Sequence, residues 1–220
     1  MEKINGGLFI TLEGGEACGK STQHERLAKS LEAMGYEVVR CHEPGGTEIG
    51  RDIRSVFLKH HQNMDPVAEI MLLLVAKREL QQKVIIPALE RGAIVLCDRY
   101  TDTLVAYQGH AKGYNLETIY RLIDSTDTNF MPDLTLLYDV STQVQEERIL
   151  SRKKAGGETT SFDTAAREFH EKVREGFKTI FAQRHISRYF PIVTDGKSID
   201  EITELSMAVI KRKIRREPLY

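Results

Sequence analysis

The chain has 220 residues, 41% of them hydrophobic, and its 31 Lys and Arg nearly balance 32 Asp and Glu for a formal net charge of −1. A chain of this length can bury a substantial core as a single domain, and the balanced charge gives no electrostatic case for binding nucleic acid or an anionic membrane. The opening residues Met1-Glu2-Lys3-Ile4-Asn5 lack the apolar core of a secretory signal, and no apolar run approaches the ~18 residues that span a bilayer. Cys18, Cys41 and Cys97 show no C-x-x-C spacing and two of them end apolar runs, so reduced, buried thiols and a cytoplasmic location are expected.

The first apolar run, residues 8–12, reads as a buried strand, and residues 20–34 read as an amphipathic helix. Between them stands Gly14-Gly15-Glu16-Ala17-Cys18-Gly19-Lys20-Ser21-Thr22, which fits the P-loop pattern G-x-x-x-x-G-K-S/T. Gly35 ends the helix, residues 37–41 form a short strand, and Glu43-Pro44-Gly45-Gly46 makes a turn. A helix covers residues 48–58. Asp65 as N-cap and Pro66 at the first helical position open a longer helix that extends toward Glu90 and stops at Gly92. Residues 93–97 form an apolar strand leading straight into Asp98-Arg99-Tyr100. Helices over 102–108 and 116–127 follow, then a strand over 134–138, a helix over 142–153 and the segment Ala155-Gly156-Gly157-Glu158. A helix from Asp163, a strand at 192–193 and a last helix from Ser198 close the chain. Its basic end, Lys211-Arg212-Lys213-Ile214-Arg215-Arg216, reads as the last turns of a solvated helix. Alternating strands and helices of these lengths imply α/β architecture, a parallel sheet with helices on both faces.

Two stretches carry chemistry. In the P-loop the glycines let backbone N–H groups wrap a phosphate, Lys20 brings a point charge to the β and γ oxygens, and Ser21 offers a hydroxyl to Mg²⁺. The following helix points its positive end at the same phosphate. Asp98, at the carboxyl end of a buried strand, falls near that loop in such a sheet and can hold Mg²⁺ or one of its waters, while Arg99 can bridge transferring phosphoryl groups. An arginine after the acid, where ATP-driven motors commonly have glutamate, and the absence of an N-K-x-D sequence argue against rival P-loop classes.

With these residues assembled, the chain resembles thymidylate kinase over nearly all its length. The resemblance is carried by Glu13-Gly14 and the P-loop, Glu43-Pro44-Gly45-Gly46-Thr47, Ala76-Lys77-Arg78, Asp98-Arg99-Tyr100, Ala106-Tyr107-Gln108-Gly109 and Pro132-Asp133-Leu134. It implies a P-loop NTPase fold of the nucleoside monophosphate kinase type with a five-stranded parallel sheet. The activity implied is direct in-line phosphoryl transfer from ATP, with Mg²⁺, to dTMP, giving dTDP for dTTP synthesis, by a homodimer. Another acceptor (dUMP, UMP or CMP) and a catalytically silent nucleotide-binding protein are the competing readings.

Residue by residue, the resemblance implies that Glu16 faces the acceptor's sugar hydroxyl, Arg78 reads the thymine edge and Arg99 holds the acceptor phosphate. Gln108 stands near the base, and Tyr107 packs on the deoxyribose where a 2′-hydroxyl would lie. Without the resemblance, a surface arginine at Arg78 and a core side chain at Tyr107 are the alternatives. Residues 148–162 resemble the lid. Ala17, where some members carry arginine, implies that the catalytic cation comes from Arg152, Lys153 or Lys154, with Arg152 favoured for its planar fork, and that Gly156 and Gly157 serve as hinge. The chain departs from the family pattern at four places. His42 replaces an arginine, Leu74 the aromatic that stacks on thymine, Thr103 a serine, and Ser161, ahead of Phe162 and Asp163, a lid arginine.

Overall fold

The computed structural model describes residues 2–157, 160–183 and 188–219. Strands β1 (Leu8–Glu13), β2 (Val38–His42), β3 (Ile94–Asp98), β4 (Leu134–Asp139) and β5 (Tyr189–Val193) form one parallel sheet in the order β2-β3-β1-β4-β5. They are linked through helices α1 (Lys20–Ala33), α2 (Glu48–His60), α3 (Pro66–Leu80), α4 (Ile86–Glu90), α5 (Thr101–Leu104), α6 (Leu116–Ser125), α7 (Thr142–Lys154), α8 (Arg167–Gln183) and α9 (Ile199–Ile214). Central strand β1 is buried on both faces and alternates between two cores. Leu8, Ile10 and Leu12 pack with Leu27, Leu31 and Ile210, whereas Phe9 packs with Val95, Cys97 and Tyr100. Thr11 Oγ1 meets Thr135 Oγ1 at 3.0 Å, which satisfies both buried hydroxyls. A third core gathers Phe57, Leu73, Leu104, Tyr107, Ile119 and Phe177 beside the carboxyl edge of the sheet.

The expected elements are present with five differences. The long helix after Asp65 is interrupted by a π-helical stretch, Gln81–Ile85, before α4. The helix expected over 102–108 is one α-turn followed by a π-helical stretch, Val105–Ala111. Its residues Val105, Ala106, Tyr107, Gln108 and Gly109 are all buried. The helix expected from Asp163 begins at Arg167, because Asp163 instead accepts from Thr160 N at 2.7 Å and pairs with Arg152. Strand β5 is longer than residues 192–193, since Pro191 sits in an edge strand where a missing N–H costs little. Glu158 of the expected lid lies outside the described residues. Helix α9 opens with a capping box between Ser198 and Glu201 and ends at Ile214, so Arg215 and Arg216 lie beyond it.

Helix α8 braces the stretch Val105–Ala111. A Cβ at Gly176 would lie 2.8 Å from His110 Cβ and 3.2 Å from the Ala106 backbone, so only glycine permits this approach. Gly176→Val is expected to lower the unfolding free energy by about 1–3 kcal/mol in urea denaturation, by forcing the two elements apart.

Candidate active site

The site forms where β1 and β3 end side by side, with Leu12 opposite Asp98. The loop from Gly14 to Gly19 turns from β1 into α1. At Gly14 (φ 141°) a Cβ would stand 2.4 Å from Tyr138 O, which explains the glycine sterically. Lys20 Nζ donates to Gly14 O at 2.9 Å and Gly15 O at 2.6 Å and contacts Cys18 Sγ at 3.3 Å. Its ammonium is thereby held over the loop. Ala17, Gly19, Ser21 and Thr22 line an open cleft of about 800 Å³ with Arg148, Arg152 and Lys197 on its far wall. Arg148 ties that wall to the loop by donating to Ala17 O and Thr194 Oγ1, both at 3.2 Å.

Ser21 Oγ donates to Asp98 Oδ2 at 3.1 Å, while Asp98 Oδ1 is buried with no partner among the described residues. A hydroxyl beside an unpartnered carboxylate oxygen is a hard-oxygen set, and these two residues fit a cation such as Mg²⁺ that keeps several waters.

Arg99 stands at the junction with a second cavity. Its backbone is left-handed (φ 69°), and its guanidinium donates to Glu16 Oε1 at 2.7 Å and to Gly14 O and the Tyr107 hydroxyl at 3.2 Å. The Tyr107 hydroxyl in turn donates to Glu16 Oε1 at 2.8 Å. Burial raises the Glu16 carboxyl, but the Arg99 and Lys20 charges and the Tyr107 hydrogen bond outweigh it and hold the group at about 2. Glu16 is thus a fixed anion between two cations.

The second cavity runs from Glu16, Arg54 and Arg99 to an apolar end built by Phe57, Leu73, Leu104, Tyr107 and Phe162, with Thr103 and Gln108 also on its wall. Arg54 makes no ion pair among the described residues and donates to Pro44 O at 3.3 Å. Burial and the neighbouring Arg99 push its guanidinium below the ordinary value. Two converging cations with one spare are the footprint of an anion site. At the apolar end Phe162 stacks on His61, with centroids 4.4 Å apart, and on Phe57 at 5.9 Å. Ser161 Oγ meets His61 Nε2 at 2.7 Å, which fastens the Thr160–Asp163 turn onto α2.

The structure does not bring Leu74 or Arg78 to this cavity. Leu74 is buried in the core, and Arg78 lies on the outer face of α3, donating to Asp127 O and Oδ2 at 2.7 Å. One residue earlier, Leu73 lines the cavity, and Lys77 is fully buried against Glu43 Oε2 (2.9 Å), Thr101 Oγ1 (3.0 Å) and the Tyr100 ring. Each residue turns a helix by about 100°, so the sequence motif set the face one position late. Sequence reasoning also missed Arg54, Phe57 and Phe162. The signal for Arg54 was its place on the stripe Gly50, Ile53, Phe57 of α2, where a solvated face would not be. No local pattern marks Phe162.

Beneath the loop, Glu13 Oε2 accepts from Thr103 Oγ1 at 2.5 Å, and Oε1 is buried with no partner among the described residues. Burial first, then the Asp102 charge, push this carboxyl up to about 8 against the Thr103 hydrogen bond and the Arg99 and Lys20 charges. Glu13 therefore carries its proton at neutral pH in the folded chain and loses it when unfolded. Between about pH 4.5 and 8 the folded state binds more protons here, so stability from this group falls as pH rises. The unfolding free energy of wild type is expected to decline relative to that of Glu13→Gln over this interval. A flat difference between the two urea-melt series would contradict it.

A Walker-type loop entering α1, an acid on the neighbouring strand and two cavities meeting at Glu16 and Arg99 define a P-loop nucleotide kinase. A family model, Thymidylate kinase, matches residues 12–204. The thymidylate kinase of Citrifermentans bemidjiense is 39% identical over 213 residues, 94% of this chain and 92% of that one. That of Exiguobacterium sp. strain AT1b is 42% identical over 178 residues, 80% of this chain and 82% of its own. The crystal structure of thymidylate kinase from Ehrlichia chaffeensis superposes with a TM-score of 0.74 at 30% identity, covering 93% of this chain and 98% of that one. The chain belongs to the thymidylate kinase family and is a nucleoside monophosphate kinase.

Proposed function

We propose that this protein transfers the γ-phosphoryl group of ATP to dTMP, giving dTDP. The observation that carries the reading is the meeting of the two cavities at Glu16 and Arg99, one walled by the P-loop, the other running from paired arginines to an aromatic end. The donor phosphates lie along the loop amides with Lys20 on their oxygens. The acceptor phosphate lies between Arg54 and Arg99, and the thymine lies among Phe57, Leu73 and Phe162. Tyr107, tied to Glu16, packs on the deoxyribose and crowds a 2′-hydroxyl, while Glu16 faces the sugar. Mg²⁺, held by Ser21 and Asp98, would neutralise charge on the β and γ oxygens. Catalysis is then mainly positioning and charge, with no covalent enzyme intermediate.

Residues 148–162 act as the lid of a single kinase domain. Arg152, on the donor-cleft wall, swings from Asp163 to the transferring group, and closure around Gly156 and Gly157 excludes water. The reading extends to a homodimer in the cytoplasm. It is supported by the family resemblance and by an exposed apolar stripe on α3, Val67, Met71 and Val75, one turn apart from each other. No helix among the described residues is long and apolar enough to cross a membrane.

The test is ADP release with ATP and Mg²⁺ against dTMP, dUMP, UMP and CMP. Preference for dTMP is expected, and equal or better turnover of a ribonucleotide would sink the assignment. Lys20→Ala is expected to lower kcat by about 100-fold or more with an unchanged unfolding curve, because its ammonium binds loop carbonyls and contributes little to the core.

A further inference from the structure

The aromatic end of the acceptor cavity contains one side-chain amide, Gln108, and that amide is oriented from behind. Gln108 Nε2 donates to Glu69 Oε1 at 3.0 Å. Glu69 is fully buried, and its oxygens also receive Lys112 Nζ at 2.7 and 2.8 Å and the Tyr114 hydroxyl at 3.1 Å. Lys112 forms an ion pair with Glu69, and a carboxylate presents only acceptors to its neighbours. Glu69 therefore accepts only, and an acceptor-only neighbour decides which way an amide lies. The NH₂ must face Glu69, and Oε1 is left for the cavity that Gln108 lines. No described residue donates to that oxygen.

We infer that Glu69 is a positioning residue that holds the Gln108 carbonyl oxygen toward the acceptor base, and so selects a pyrimidine with a ring N3–H, thymine or uracil, over cytosine. This rests on the acceptor cavity binding a pyrimidine monophosphate as proposed above. Thymine and uracil present a donor at N3 that the oxygen accepts. Cytosine presents a lone pair at the same place, and two acceptors then face each other without a proton between them. The amide cannot turn to relieve this, because turning would set its own oxygen against the Glu69 carboxylate. A site built around a buried, oriented hydrogen-bonding group rejects the mismatched analogue strongly because the mismatch leaves that group unpaired.

The experiment compares kcat/KM for dTMP, dUMP and dCMP in wild type and in Glu69→Gln, which keeps the shape of residue 69 but gives it a donor. The variant allows either amide orientation, so the dTMP-to-dCMP ratio is expected to fall by about tenfold or more, while the dTMP-to-dUMP ratio, which does not involve N3, stays within about twofold. An equal loss on dTMP and dCMP, with the ratio unchanged, would overturn the role of Glu69 and leave the kinase assignment standing. Lack of turnover of any pyrimidine monophosphate by wild type would overturn both. Should Glu69→Gln not fold, Gln108→Leu tests the same claim. Loss of the dTMP-to-dCMP preference supports it, and a preserved ratio refutes selection by this amide.

Discussion

The contact on which the rest of the site depends is the Arg99–Glu16 pair. One arginine in a left-handed backbone conformation bridges the P-loop, through Gly14 O and Glu16, to the Tyr107 hydroxyl on the wall of the second cavity. The P-loop cleft and the aromatic-ended cavity are therefore two ends of one hydrogen-bonded frame. The Coulomb energy of this partly buried pair matters less than its geometry, because bidentate and multiply bonded arginines fix position as well as charge. An uncharged residue at either place would leave the other charge unmatched where the two cavities meet.

The frame holds because the elements beneath it are rigid. β1 and β3 are buried in full pairing, and Glu13, at the end of β1, holds Thr103 one turn into the helical segment that carries Tyr107 and Gln108. The π-helical stretch Val105–Ala111 then turns both of those residues inward, and Gly176 lets α8 press on its back. A wider turn is locally less favourable than an α-turn and recurs at functional sites, where burial of neighbouring side chains compensates.

Much of this was legible in the sequence. The P-loop, Asp98 and Arg99 are contiguous motifs whose chemistry follows from local spacing, and the alternation of apolar runs with helical periodicity gave the sheet and its helices. Three things were not. The face of α3 turned on a single residue of register, which put Leu73 rather than Leu74 on the cavity wall and Lys77 rather than Arg78 inside the protein against Glu43. The π-helical stretches have no periodic signature in a window dominated by apolar residues. Phe162 meets Phe57 and His61 across more than a hundred residues, a contact that only tertiary packing makes.

The central claim is that both nucleotides bind at once, end to end across Arg99 and Glu16. The most direct measurement is inhibition by a bisubstrate compound joining adenosine and thymidine through a polyphosphate chain. The account predicts inhibition competitive with both ATP and dTMP. Competition with ATP alone, and non-competitive behaviour toward dTMP, would contradict it, since the acceptor would then occupy a site that the linked compound does not reach.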